Sequence, residues 1–148
     1  MTNAPCELCV QDGGQVLYRD GKLRVVLVDD ADSPGFSRVI WNAHVKEMTD
    51  LAVADRSLVM RTVCRVEEAL REIMHPEKIN LASLGNMTPH LHWHVIPRYL
   101  DDAHFPNPVW AARQRTADPV ALAQRLELLP KLAETITRRL DAYRNDGE

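Results

Sequence analysis

The spacing of apolar positions changes along the chain, and each change marks an element. Gln15–Arg19 and Leu23–Val28 read as two short strands, the second an apolar run with β-branched residues. Asp20-Gly21 between them is a two-residue hairpin signal whose turn positions call for positive φ. Asp29 to Gly35 holds three Asp, a Ser, a Pro and a Gly and reads as a loop. Phe36–Trp41 is a third strand. From Ala54 to Met74 the spacing lengthens to that of a helix, with Val59, Val63, Val66, Leu70 and Ile73 recurring on one face. Pro76 ends it. Ile79–Leu84 and Leu91–Tyr99 return to strand, separated by Gly85-Asn86 and Pro89. A second helix runs from about Pro119 to Tyr143, with Pro119 in its first turn and Pro130 a kink or break. Strands, helix, strands, helix describe an α+β fold: a mainly antiparallel sheet, one long central helix and a C-terminal helix.

The 148 residues fit a single domain over 1–148. The formal net charge is −3, so no global basic field draws in nucleic acid, and an anionic small molecule needs local donors. No run of ~20 apolar residues is present, so no membrane span is expected. Met1 to Asp12 has no apolar run of the signal-peptide kind. Three cysteines are an odd number and too few for a disulfide scaffold, which places the expected home in the cytoplasm. Ala4 to Asp12, followed by Gly13-Gly14, reads as a flexible lead-in. Cys64, beside Val63 in the helix, is expected in the core. His75 and His104 lie near prolines and are expected in exposed loops.

Three of the six histidines fall at 90, 92 and 94. On a strand with period two they share one face, while Leu91, Trp93 and Val95 share the other and pack on the core. Imidazoles are poor core material, since each needs polar partners when buried. The residues themselves leave three readings open. The ladder is a polar strand face, or it holds a transition metal, or one ring is a nucleophile with its neighbours as orienter and acid. Neutral imidazole attacks phosphorus readily near pH 7 and leaves readily from the phosphoramidate it forms.

His90-Leu91-His92-Trp93-His94-Val95-Ile96, followed by Pro97-Arg98, resembles the signature of the histidine triad (HIT) family at every position. Pro34-Gly35, the strand Ser37–Trp41, His44-Val45 and Asp50-Leu51 resemble that family's upstream segment. The resemblance covers roughly residues 4–110 and leaves a C-terminal helical extension over about 111–148. It implies a HIT-like fold, a homodimer, and hydrolysis of phosphoanhydride or phosphoramidate bonds at a nucleotide α-phosphate. His92 is then the nucleophile that carries the nucleotidyl group. His94 contacts phosphate and helps protonate the leaving group, and His90 orients the network or serves a metal. Asn86, Asp29 or Asp30, Arg98 and Trp110 are the implied contacts to phosphate, ribose and nucleotide. The chemistry itself needs no metal. Two alternatives remain: a nucleotidyltransferase, and a nucleotide- or zinc-binding module without turnover. The departures are Phe36 where the family has His, and Trp41-Asn42 where it has Pro-Lys.

Cys6-x-x-Cys9 has several meanings. A redox pair needs a βαβ context that is absent. A zinc deaminase needs a preceding His-x-Glu, and too few residues stand before Cys6. A structural zinc needs two more ligands. Here the resemblance, which extends to galactose-1-phosphate uridylyltransferases, implies Cys6, Cys9, His44 and His90 as the set.

Overall fold

Five strands form one sheet in the spatial order β1 (Gln15–Arg19), β2 (Leu23–Leu27), β3 (Ser37–Trp41), β5 (His92–Arg98), β4 (Lys78–Ala82), with every neighbouring pair antiparallel. These positions come from a computed structural model that describes residues 5–145; the parts of the expected 1–148 domain at 1–4, Ala4 included, and at 146–148 lie outside the described residues. The short helix α1 (Glu7–Val10) precedes the sheet, α2 (Val53–Met74) connects β3 to β4, and α3 (Pro119–Glu127) and α4 (Leu129–Asn145) follow β5. The fold is α+β, as the hydrophobic pattern predicts.

The two faces of the sheet are covered differently. Helix α2 turns Val59, Val63, Val66, Leu70 and Ile73 onto Val25, Val39 and Val95, and α4 adds Leu132, Ile136 and Leu140 to the same core. Thr137 Oγ1 donates to Leu17 O at 2.8 Å and fastens α4 along β1. On the opposite face only a small cluster forms, Leu8 against Val26 and Ile40. That face carries the polar residues of the site.

Several expectations are corrected. The lead-in at Glu7–Val10 is helical, and Arg24 donates to Leu8 O, Gln11 O and Asp12 O, clamping it to the sheet. The β1–β2 turn does not use positive φ at Asp20 or Gly21. Instead the Asp20 carboxylate accepts from the Lys22 and Leu23 backbone, which stabilises a three-residue loop over 20–22. Cys64 is exposed, because one residue beyond Val63 the helix has turned it away from the core. The break expected at Pro130 is present, dividing the C-terminal helix in two at Leu128. Asp118 caps α3 by accepting from Val120 N, with Pro119 at the first position.

Gly35 is required by close approach. Its φ is +94°, and a Cβ there would come within 2.4 Å of Met74 Sδ. This turn delivers Phe36 to the site face.

After β5 the chain folds back around a buried ion pair. Arg98 Nε and Nη2 donate to the two Asp102 carboxylate oxygens at 2.8 and 3.1 Å, and both residues are nearly inaccessible. Burial pushes the Asp102 carboxyl up, but Arg98 and the Tyr99 and His104 backbone N–H groups outweigh it and hold it below its ordinary value. Arg98 Nη2 also donates to Asn107 O. Asp102→Ala leaves that guanidinium buried and uncompensated. The variant is expected to lose about 3–5 kcal/mol in urea unfolding. Asp101→Ala, which removes the exposed pair with Arg125, is expected to cost at most about 1 kcal/mol.

Candidate active site

The site is built on the pairing of β3 with β5. His92 lies opposite Ile40, and His94 opposite Arg38. The rings of His92 and His94 stand edge to face, with centroids 4.8 Å apart. His92 Nδ1 lies 2.5 Å from His90 O. A carbonyl can only accept, so Nδ1 carries the proton and Nε2 keeps the lone pair. Among the described residues nothing hydrogen-bonds Nε2. The predicted strand from Leu91 begins instead at His92, so His90 sits in the preceding turn. Its carbonyl is outside the ladder and available to the imidazole. Ser83 Oγ donates to His92 O at 2.7 Å and secures the strand from the β4 side.

His94 is enclosed by aromatic edges. Phe36 lies 5.4 Å and Trp110 5.0 Å from its ring centre. Its Nδ1 is buried without a partner, and neither Phe36 nor Trp110 has a lone pair to offer. Burial pushes the His94 imidazole down to about 3, with the neighbouring His92 and Arg38 adding to it. His92 is also lowered by burial, its bond to His90 opposing the change and Arg38 reinforcing it. Both rings are neutral at pH 7.

His90 turns its side chain the other way. Its Nε2 lies 2.6 Å from Trp41 O, so that nitrogen is the donor and Nδ1 holds a lone pair. Nδ1 faces Cys6 Sγ at 3.4 Å, Cys9 Sγ at 3.5 Å and His44 Nδ1 at 3.3 Å. Cys9 Sγ is 3.4 Å from His44 Nδ1, and the four ligand atoms lie within 4.8 Å of one another. Tetrahedral zinc with bonds of about 2.0–2.3 Å sets its ligands roughly 3.3–3.8 Å apart. The donor set fits that ion, and the separations from His90 Nδ1 and between Cys9 and His44 lie at its ligand spacing. All three cysteines are free of disulfides.

The other sequence candidates separate. Trp110 reaches His94 although it is half exposed. Asn86 is exposed in the β4–β5 loop, while the neighbouring Ser83, Leu84 and Gly85 line a cleft of about 200 Å³ with His90 and His92. Asp30 is committed to its own turn, accepting from Asp32 N and Ser33 N. Asp29 is exposed, and both Asp line a second concavity of about 440 Å³ that includes Gly14 and Pro34 but no triad histidine. Arg98 is corrected from phosphate contact to anchor, since Asp102, Asn80 and Asn107 take up its guanidinium. His104 is half-buried rather than exposed, with Nδ1 2.9 Å from Ala111 O, where it braces the loop that carries Trp110. Sequence reasoning assigned no role to Arg38. Its signal was a charged residue at period two between Phe36 and Ile40.

Fold and site together define an α+β protein that presents a histidine triad from an inner strand of an antiparallel sheet. The HIT domain family model matches residues 11–101, and the chain belongs to that family. Among solved structures it is similar to a histidine triad protein from Bradyrhizobium japonicum, 28% identical, with TM-score 0.68, covering 86% of this chain and 91% of that one. It is similar also to a histidine triad protein from Sinorhizobium meliloti 1021, 26% identical, with TM-score 0.70, covering 94% and 98%. A zinc-bound histidine triad family protein from Mycobacterium smegmatis shares the fold at 21% identity and TM-score 0.57, covering 95% and 90%. No curated protein matches the chain.

The depressed His94 has a consequence for stability. An exposed imidazole titrates near 6.5, so the unfolded chain takes up a proton that the folded one refuses. The stability associated with neutral His94 is complete above about pH 6.5 and is lost as pH falls toward 3. Wild type is therefore expected to lose stability relative to His94→Phe between pH 6.5 and 4 in urea unfolding. Parallel curves for the two proteins would contradict the burial of this ring.

Proposed function

We propose that the chain is a nucleotide hydrolase acting at the α-phosphate through a covalent intermediate on His92. The observation that carries this is the 2.5 Å bond from His92 Nδ1 to His90 O, which leaves the Nε2 lone pair as the reactive one. Nε2 attacks the α-phosphorus. An N–P bond forms as the bond to the leaving group breaks, and the leaving group departs with a proton taken from solvent, to which the attacking water later returns one. Water then attacks the same phosphorus, the N–P bond breaks, and a nucleoside monophosphate is released with His92 neutral again. His94 is neutral in its aromatic enclosure, so its part is to donate an N–H hydrogen bond toward the phosphoryl group, not to act as a standing imidazolium. Trp110 borders this space and offers an aromatic face to the nucleotide. Asp29, which makes no hydrogen bond among the described residues, is the better of the two Asp for ribose.

Dinucleoside polyphosphates and nucleoside phosphoramidates are the substrate classes this site suits. Wild type is expected to release AMP from AMP-morpholidate or diadenosine tetraphosphate. His92→Asn is expected to lower that release by about three orders of magnitude or more. Equal release by the two proteins would refute the nucleophile. A labelled nucleotide trapped on the protein should map to His92 by mass spectrometry. Product joined to added phosphate or sugar phosphate in place of AMP would make the chain a transferase.

The proposal includes one structural zinc on Cys6, Cys9, His44 and His90. The free lone pair on His90 Nδ1 and the ligand spacing support it, and the Mycobacterium smegmatis relative is zinc-bound. Its effect would be to tie α1 to the turn before β5, with no part in the bond-breaking steps. Protein prepared without chelator should hold about one zinc per chain, and Cys9→Ser should lose most of it; a metal-free wild type would contradict the assignment. A homodimer completes the reading, since β4 is an open edge with Leu81 and Leu84 exposed on and beside it. No helix among the described residues is long and apolar enough to cross a membrane. Reduced cysteines in ligand geometry suit a cytoplasmic setting.

A further inference from the structure

Among the described residues, Arg38 is the arginine with a buried guanidinium N–H left unpartnered. Arg98, Arg113, Arg125 and Arg139 each meet a carboxylate. Arg24 is buried but spends its donors on four neutral acceptors. Arg38 is half-buried and is in no salt bridge among the described residues. One donor, Nη1, reaches Gly13 O at 3.1 Å. Its Nε is buried with no partner, and Nη2 makes no hydrogen bond among the described residues. A guanidinium offers five N–H groups in a fixed fork that matches phosphate, so most of this fork is unused.

Its position is equally specific. Arg38 lies opposite His94 on the site face, two pairs along from Ile40 opposite His92. The guanidinium carbon sits 5.9 Å from the centre of the Phe36 ring, whose edge also meets His94. Phe36 thus supports the cation and the triad at once. The Arg38 charge depresses both His92 and His94, so its field reaches the rings that would flank a phosphorus atom. The carboxylates whose field reaches Arg38, those of Glu7 and Asp30, act from beyond ion-pair distance.

We propose that Arg38 is a substrate-contacting residue that receives the phosphoryl oxygens of the nucleotide with its unused guanidinium donors. The proposal rests on the reading of His92 as the nucleophile, but it concerns binding and can be tested without turnover. A half-buried cation with unpaired donors weakens folding, so a role in ligand binding and a role in packing predict opposite changes in stability.

The experiment compares wild type with Arg38→Gln and Arg38→Lys, as metal-loaded full-length chains, using calorimetric binding of AMP and of adenosine. Wild type should prefer AMP to adenosine. Arg38→Gln should lower AMP affinity about ten- to a hundredfold while adenosine affinity stays the same. Arg38→Lys should recover part of the loss. Arg38→Gln should also melt at or above the wild-type temperature. AMP preference unchanged in Arg38→Gln would overturn the proposal. So would a parallel loss of AMP and adenosine binding together with a lower melting temperature, which is the behaviour of a packing residue. His92→Asn, included as a control, should still prefer AMP. If it does while AMP release from AMP-morpholidate is undiminished, the nucleophile assignment fails and the Arg38 assignment stands.

Discussion

The hydrogen bond between His92 Nδ1 and the His90 carbonyl is the contact on which the rest of the site depends. It decides which nitrogen of the central ring keeps a lone pair. It is available only because His90 precedes β5. A carbonyl inside the ladder would be paired with a neighbouring strand. Two residues further on, His92 O lies inside the strand and has Ser83 Oγ as a side-chain donor. Residue 90 therefore acts through its backbone on the nucleophile and through its ring on the N-terminal segment. Its Nε2 is held by Trp41 O at the end of β3, and its Nδ1 looks toward Cys6, Cys9 and His44. Triad, central strand and N-terminal segment share one anchor.

That shared anchor explains the unequal faces of the sheet. Helices α2 and α4 bury one face in a continuous apolar core. The other has only the Leu8, Val26 and Ile40 cluster, too small to hold a segment by itself. Arg24 supplies the missing attachment by donating to three backbone carbonyls of the segment. Gly13 permits the closest approach, since a Cβ there would strike Ile40 and Leu8 at 2.9 Å. The remainder of that face carries His92, His94 and Arg38, with Phe36 and Trp110 packed against His94.

Periodicity reads the sheet, α2 and the break near Pro130 to within a residue or two, because burial on alternate or helical faces leaves its mark locally. Interactions between distant positions are a different matter. Asp20-Gly21 marks a turn, yet side-chain bonds from Asp20 choose its geometry. Cys64 is one helical step from the core face and therefore outside it. Arg98 ends the triad strand, where the resemblance implies a phosphate ligand, but its partner Asp102 belongs to a loop whose return no local pattern shows. Cys6, Cys9, His44 and His90 are spread over the first two-thirds of the chain, and only the family resemblance joined them before the fold did. His92 and His94 were legible because strand alternation alone puts them on one side, whereas His90, in the turn before β5, was not placed by alternation.

Phe36 stands where the family resemblance leads one to expect His, and its ring shapes the surroundings of His94. A phenyl ring cannot accept a hydrogen bond from His94, so the triad's last imidazole loses a polar support and sits neutral among aromatic edges. Two neutral imidazoles supply no net charge to an incoming phosphate. With an overall charge of −3, the molecule has no general field to supply it either. The attraction must come from a fixed cation at the site. The same phenyl ring that deprives His94 of a partner lies beneath the Arg38 guanidinium. In a half-desolvated setting such a charge acts more strongly than it would in water. If Arg38 receives the phosphate as proposed, the positive charge at the site belongs to a guanidinium that never loses its proton. The protein's own contribution to phosphate affinity would then change little across the neutral range, and the remaining pH dependence would be that of the phosphate group, whose second pKa is about 6.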